Sequence, residues 1–243
     1  MFAVLLGWFL GAIAIQAAAR AALPDPATGP VAVVVTAGAV IGALTAVGIL
    51  AIGLATGWMQ LAGWHTAATS GLLLALINDV SVGVMEETLF RGFVLITVLE
   101  GLHQLHARRS PHTILVIAVI TSAAIFTYFH LNDIAELYQA VHYFTAGVVL
   151  AFAYVRSGRL ALPIGLHIAY NFSVRHLLNV EPSNRTIADV IVDGPALWVG
   201  EASITETAAW LFAALLIVVY VHAARDRWTR DNAVVSLVGE LEA

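Results

Sequence analysis

Three short polar stretches lie within otherwise apolar parts of the chain, and the first contains residues that could activate water. In the stretch EETLFR, Glu87 and Arg91 are four residues apart, so a helix would place them on one face as an ion pair. Glu86 would point about 100° away from them and would have no local cation. A carboxylate in that position is suited to act as a general base, although the three charges could instead hold neighbouring helices together.

The other two stretches place histidines at helical spacing from an aromatic or amide side chain. Phe126 and His130 are four residues apart in FTYFH, and His167 and Asn171 are four apart in HIAYN. The second pair presents an imidazole and an amide on one face, which could bind a metal or stabilise an oxyanion. Taken singly, each pair is also explained by packing or by an interhelical hydrogen bond.

The composition excludes several classes of protein. Of 243 residues, 60% are hydrophobic and 11% are charged, whereas a soluble domain has about 25% charged residues. The absence of Cys excludes a disulfide-stapled domain, and a net charge of −5 with few basic residues gives no basic surface for nucleic acid. The chain is therefore predicted to be a single all-α integral membrane domain, a polytopic transmembrane helix bundle.

Apolar runs of about 20 residues predict where the chain crosses the bilayer. The predicted spans are residues 2–22, 31–57, 67–107, 113–130, 138–155, 160–178 and 207–224. Residues 67–107 are too long for one crossing, so this run either extends into water after Glu100 or breaks in two. The bundle therefore has seven or eight predicted helices, with a polar connection at 181–206 and a polar surface tail at 225–243.

The arginines predict an orientation. With seven crossings and the N-terminus outside, eight of the eleven arginines fall on the inner side together with the C-terminus. These arginines are Arg20, Arg108, Arg109, Arg156, Arg159, Arg225, Arg227 and Arg230. We expect a multi-pass protein of the cell membrane. In such a protein a charged residue within a span costs at least about 2.5–3.5 kcal/mol, so each polar stretch needs a partner or a function.

Spacing relates the polar stretches to one another. If the helices on either side of the 107–112 turn are antiparallel, Glu86 and His130 lie at equal depth, and His142 can also be near. His167 fits less well, with a depth offset of roughly 10 Å at helical rise. Asp79 lies two turns before Glu86 on nearly the same face, where it either repels the Glu86 charge or simply ends a span.

Taken in order, EExxxR (Glu86, Glu87, Arg91), FxxxH (Phe126, His130) and HxxxN (His167, Asn171) resemble the motifs of the CPBP family. This family contains CAAX proteases and bacteriocin-processing membrane proteins related to the type II CAAX prenyl endopeptidases. The resemblance covers about residues 70–175. It implies an intramembrane endopeptidase whose partners are the lipid bilayer and a peptide or prenyl-protein substrate.

The resemblance also implies roles for these residues. Glu86 would deprotonate water with help from His130, His167 and Asn171 would stabilise the tetrahedral intermediate, and Glu87 and Arg91 would lock the geometry. Family members are often described as metalloproteases, and Zn²⁺ could be held by Glu86, His130 and His167. An amide is a poor fourth ligand, so a mechanism without a cofactor is favoured.

Other functions remain open at this level. The chain lacks HExxH, a Gly-x-Ser-x-Gly elbow and any Cys, so zincin, serine-elbow and thiol mechanisms have no signature. The same polar residues could serve a non-catalytic membrane scaffold or a bacteriocin-immunity factor. A proton-coupled carrier ranks last, because the sequence shows no convincing internal repeat. The substrate and the oligomeric state are not indicated.

Overall fold

The computed structural model describes residues 31–64, 69–105, 110–178 and 187–224. The α-helices are α1 (Val31–Thr56), α2 (Thr69–Glu87), α3 (Ile96–Leu105), α4 (Pro111–Phe129), α5 (Leu137–Ser157), α6 (Ala161–Phe172) and α7 (Ile204–Ala223). Two π-helical segments, Thr88–Leu95 and Ser173–Leu177, continue α2 and α6, and a 3₁₀ turn (Leu131–Asp133) follows α4. Two strands, β1 (Met59–Trp64) and β2 (Ala188–Val192), complete the described part.

The helical membrane architecture is confirmed, but the number of crossings is not. Four described helices, α1, α4, α5 and α7, are long and apolar enough to span a membrane. The predicted span at 2–22 and the tail at 225–243 lie outside the described residues. The run 67–107 contains α2, the first π-helical segment and α3 in direct succession, so its helical structure continues beyond Glu100 to Leu105.

The prediction of a purely α-helical fold is wrong in one detail, because β1 and β2 form a two-stranded antiparallel sheet. Met59 pairs with Val192 and Trp64 with Ala188, with an irregularity between Leu61 and Gly63. The sequence prediction assigned the second strand to the polar connection at 181–206. The two strands are too short to show an alternating pattern of apolar and polar residues, so the sequence does not distinguish them from loops.

Local sequence explains where several helices begin and end. Ser110 caps α4 by accepting a hydrogen bond from the Thr113 backbone N–H at 3.2 Å, with Pro111 in the first turn. Glu136 and Gln139 form a capping box at the start of α5, which ends at Gly158 in the left-handed conformation. These caps define the start of α4, which His130 follows, and both ends of α5, which carries His142.

Small residues set the position of α6, the helix that carries His167 and Asn171. A Cβ atom at Gly38 or Gly42 of α1 would collide with the carbonyl oxygens of Leu162 or Leu166. On the side of α2, a Cβ at Gly83 would meet the Ile168 side chain. Helix α6 is thus held closely between α1 and α2, as small residues allow in membrane bundles.

One large cluster of buried apolar residues lies between these helices, and many of its members with no exposed surface come from α1, α5, α6 and α7. They include Ile49, Leu150, Leu162, Leu166 and Ile217, all fully buried. Other apolar side chains of the spanning helices point outward, including Val40 of α1 and Val116 of α4. This distribution suits a bundle whose outer surface meets lipid, with polar side chains concentrated inside.

Candidate functional site

A cavity of about 250 Å³ lies inside the helix bundle and collects residues from all three sequence motifs. Glu86 of α2, His130 at the end of α4, and His167 and Asn171 of α6 all line it. Helix α5 contributes His142 to the same wall. Motif residues separated by up to 85 positions in the sequence, from Glu86 to Asn171, therefore line one cavity.

Glu87 and Arg91 form the ion pair that their spacing predicts. Arg91 Nη1 donates to Glu87 Oε1 at 2.8 Å, and both side chains have no exposed surface. Arg91 Nη2 donates to the Gly147 carbonyl of α5 at 3.0 Å, and its guanidinium lies 4.7 Å from the centre of the Phe126 ring. The Arg91 side chain thus connects the first π-helical segment to both α4 and α5.

The π-helical segment Thr88–Leu95 begins directly after the two glutamates. Ser122 of α4 donates its hydroxyl to the Phe90 carbonyl at 2.9 Å, which satisfies one backbone acceptor inside the widened turn. Wide turns of this kind are frequent at functional sites. The sequence prediction treats the segment as an ordinary helix, since no residue pattern distinguishes the two.

Glu87 also fixes the orientation of His167. Glu87 Oε1 lies 2.8 Å from His167 Nδ1, and both side chains are buried. The carboxylate can only accept, so Nδ1 carries the proton. The other ring nitrogen, Nε2, then lies 3.8 Å from Glu86 Oε2.

His167 therefore meets both glutamates, and the expected depth offset of this histidine is wrong. That expectation followed successive antiparallel hairpins along the chain. In the structure α6 packs directly on α2, where Ile168 lies over Gly83. Pro163 sits in the first turn of α6, where a proline does not interrupt a helix.

His130 is held in one orientation by its own helix and by α5. Its Nδ1 lies 2.8 Å from the Phe126 carbonyl oxygen, which can only accept a hydrogen bond. The ring stacks on Tyr143 at 4.5 Å between centroids and lies 4.4 Å from the Phe126 ring. In the neutral ring, Nε2 is therefore the acceptor atom.

The arrangement can do acid–base chemistry on a bound molecule. Glu86 Oε2 is buried and has no hydrogen-bond partner among the described residues. Neutral His130 and His167 each have an Nε2 lone pair, while the Asn171 amide supplies donors. These groups can hold and deprotonate water and then stabilise a negatively charged oxygen.

The residues named for a zinc site are not grouped as metal ligands. In the described ranges, no three His, Asp or Glu side chains lie together in a way that could hold a metal ion. Glu86, His130 and His167 nevertheless share a cavity wall. The description as a metalloprotease therefore finds no support in the geometry.

Asp79 belongs to a different contact. It is buried on α2, and its Oδ2 lies 3.5 Å from His176 Nε2 in the second π-helical segment. It does not line the cavity. Asp79 therefore links α2 to the second π-helical segment, a role that neither sequence interpretation gave it.

Two residues on the cavity wall or directly behind it have no role in the sequence predictions. Trp210 of α7 lines the cavity, and Glu206, in the first turn of the same helix, has no exposed surface and lies 3.8 Å from His142. The sequence prediction placed Glu206 at the end of the polar connection 181–206. Glu206 directly precedes an apolar run in the sequence, and a carboxylate at the start of a membrane helix needs a partner. This position could have indicated that Glu206 is buried against another helix.

Comparison with known proteins gives one match. The family model for type II CAAX prenyl endopeptidase Rce1-like proteins matches residues 67–173. The matched range contains all three motifs, from Glu86 to Asn171, and confirms the family resemblance drawn from them. No curated protein and no solved structure matches the chain.

Proposed function

We propose that this chain, whose residues 67–173 match the family model of type II CAAX prenyl endopeptidase Rce1-like proteins, is an intramembrane endopeptidase. The family supports a protease role in general. The finer proposal is that this chain hydrolyses a peptide bond of a membrane-delivered substrate with water activated by Glu86. The observation that carries it is the 3.8 Å distance between Glu86 Oε2 and His167 Nε2 on the wall of the cavity inside the bundle.

The nucleophile is a water molecule that hydrogen-bonds to the partly exposed Glu86 carboxylate and to His167 Nε2. The Glu86 side chain is 15% exposed, so a water in the cavity can donate one hydrogen to its carboxylate and the other to His167 Nε2. Glu86 takes one proton as the water oxygen bonds to the substrate carbonyl carbon. Because Glu87 and Arg91 fix the His167 ring, the water is oriented before the reaction begins.

The tetrahedral intermediate carries a negative oxygen that needs hydrogen-bond donors. The Asn171 amide, also on the cavity wall, supplies N–H donors directly. His130 and His167 donate from Nε2 only when protonated, because their Nδ1 hydrogens are engaged. Glu86 then returns its proton to the leaving nitrogen as the carbon–nitrogen bond breaks, which restores the carboxylate.

The membrane setting defines how a substrate arrives. The four helices that can span a membrane make this a multi-pass membrane protein, with the cavity inside its bundle. A lipid-anchored peptide can reach such a site by moving within the bilayer, which is the reason to prefer a prenylated or leader-bearing substrate. Location in the cell membrane with the N-terminus outside stays a prediction.

The reaction class can be tested with the full chain in lipid nanodiscs. Prenylated and leader-type peptides would be incubated in H₂¹⁸O, and the products analysed by mass spectrometry. Hydrolysis by activated water predicts two fragments with one ¹⁸O in the new carboxyl group. The scaffold or immunity alternative predicts that no peptide in the panel is cut, and that result would overturn the proposal.

A further inference from the structure

The bundle carries an apolar surface at the end where α1 stops and α7 begins. This surface, the sheet surface, consists of exposed side chains of the β1–β2 sheet and of the connection from β2 to α7. Its members are Leu61, Trp64, Ile191, Leu197 and Trp198. None of them lines the cavity, and all lie outside the matched range 67–173, so the proposed reaction gives them no role.

The sheet is fixed to the membrane-spanning part of the bundle. Strand β1 begins three residues after α1 ends, and the buried Met59 side chain packs so closely on Gly53 of α1 that a Cβ atom there would collide with it. The Asp193 backbone N–H, directly after β2, donates to the Trp58 carbonyl at 2.8 Å. Because α1 and α7 can both span a membrane, the sheet between them lies close to the level at which these helices leave the bilayer.

Bulk water is a poor environment for the sheet surface. Trp64 is 71% exposed and Trp198 is 44% exposed. The Trp198 ring lies 6.1 Å from the Trp58 ring, directly before β1, so the connection and the sheet form one continuous surface. An exposed apolar patch of this kind marks a place that another molecule or a membrane covers, and a two-stranded sheet alone is at best marginally stable in water.

The hydrocarbon core of the bilayer is an equally poor environment. Within the described part of the chain the sheet has two strands, so each strand has an edge whose backbone N–H and carbonyl groups need hydrogen-bond partners. Lipid-exposed sheet edges do not occur in the hydrocarbon region, because no water is present there. The exposed Asp193 carboxylate would also be costly at that depth.

The headgroup layer of a bilayer meets both requirements. Tryptophan is enriched at this level, because its ring is apolar and its indole N–H can donate to headgroups and water. Of the four described tryptophans, Trp58, Trp64 and Trp198 belong to this end of the bundle, whereas Trp210 is buried inside it. We propose that the sheet surface lies in the interfacial layer of the phospholipid bilayer, with its tryptophans among the headgroups and its strand edges hydrated.

This position also sets the level of the cavity opening, a step that rests on the proposed function. Glu201 and Ala202 follow Trp198 closely in the chain and line the cavity. Because Glu201 is exposed, the cavity reaches the protein surface beside Trp198. The sheet surface thus holds the opening at headgroup level, where the peptide part of a lipid-anchored substrate lies.

Lipid contact can be measured without catalysis, by quenching of tryptophan fluorescence. The full chain would be reconstituted in phosphatidylcholine bilayers with bromine either near the top of the acyl chains or near their ends. Subtracting the emission of the double variant Trp64→Phe and Trp198→Phe from that of the wild type isolates the two exposed rings. Trp210→Phe gives the matched difference for a ring that is 2% exposed.

The depth of the bromine decides the result. The two bromine positions differ in depth by about 10 Å within a hydrocarbon core about 30 Å thick. We expect bromine near the top of the chains to lower the emission of the two exposed rings at least about twofold, and bromine at the chain ends to lower it less. The Trp210 difference should stay nearly unchanged in both bilayers.

Three results would overturn the proposal. Quenching by iodide in the aqueous phase but by neither lipid would place the sheet surface in water. Stronger quenching by bromine at the chain ends would place it in the hydrocarbon core. Protection from iodide and from both lipids would show that another protein segment or a second copy of the chain covers it. Because no peptide has to be cleaved, these results are independent of the proposed function.

A kinetic comparison tests the link to the substrate. For a peptide that the protein cleaves, combined Trp64→Ser and Trp198→Ser should raise the KM of the lipid-anchored form about fivefold and leave the KM of the lipid-free form within about twofold. Leu105→Ser on α3 is the control, since Leu105 is 77% exposed and does not line the cavity, and both KM values should stay at the wild-type level. An equal change for both peptide forms, or no change in either, would contradict a role of the sheet surface in substrate delivery.

Discussion

The buried network around Arg91 predicts a large and non-additive effect on stability. Arg91 has no exposed surface and makes two hydrogen bonds, to Glu87 at 2.8 Å and to the Gly147 carbonyl at 3.0 Å. Arg91→Met removes both and leaves the buried Glu87 carboxylate without its guanidinium partner. Breaking a buried ion pair from one side costs about 3–5 kcal/mol, and we expect a loss of that size.

The partner substitution completes a double-mutant cycle. Glu87→Gln leaves the Arg91 cation buried without a countercharge, so we expect a similar loss of about 3–5 kcal/mol. In the double variant no unpaired charge remains, and the total loss should fall at least about 1 kcal/mol below the sum of the two single losses. Unfolding free energies would be measured in mixed micelles titrated with a denaturing detergent.

A neighbouring carboxylate serves as the control. The Glu86 side chain is 15% exposed and lies 3.8 Å from the His167 ring, without the short ion pair that Glu87 makes, so Glu86→Gln should change the unfolding free energy by less than about 0.5 kcal/mol. Strictly additive losses in the cycle, or a loss below about 1 kcal/mol for Arg91→Met, would refute the view that this network holds the bundle together.

Because α1 packs closely on α6, we expect Gly42→Ala to destabilise the protein by about 1–3 kcal/mol. Gly48→Ala is the control, since its new methyl group would meet only the Phe212 ring, at an ordinary contact distance of 3.9 Å. This variant should leave the unfolding midpoint unchanged or raise it. Hydrolysis without a metal predicts that a strong chelator leaves the cleavage rate within about twofold, and loss of activity restored by Zn²⁺ would contradict the mechanism. Asn171→Leu should lower kcat about 10²–10³-fold with little change in KM if its amide holds the oxyanion, and an unchanged kcat would remove it from that role.

The sequence predicted the grouping of the polar residues better than it predicted the topology. Charged residues inside apolar runs are expensive, so Glu86, Glu87 and Arg91 stand out without any structural information. Helical spacing was enough to predict the Glu87–Arg91 pair. Glu86 and His130 are equally far in sequence from the turn between two antiparallel helices. They were therefore predicted to lie at equal depth, and both line the cavity.

The remaining features depend on contacts between distant segments. The approach of His167 to Glu86 and Glu87 follows from α6 packing on α2, which is decided by Gly83 and Ile168 rather than by chain order. The β1–β2 pairing joins segments more than 120 residues apart. Glu206 was assigned to the polar connection because a polar residue before an apolar run can be either the last residue of a loop or part of the first turn of a helix.

The most direct test of the central claim is the cleavage rate of Glu86→Gln compared with wild type on the same peptide. The substitution keeps the shape of the side chain and removes the base that takes the water proton. We expect at least about a 10²-fold loss of kcat with an unchanged unfolding midpoint, while Glu100→Gln, at an exposed carboxylate on α3 outside the cavity, retains the wild-type rate. Cleavage by Glu86→Gln at the wild-type rate would contradict the account.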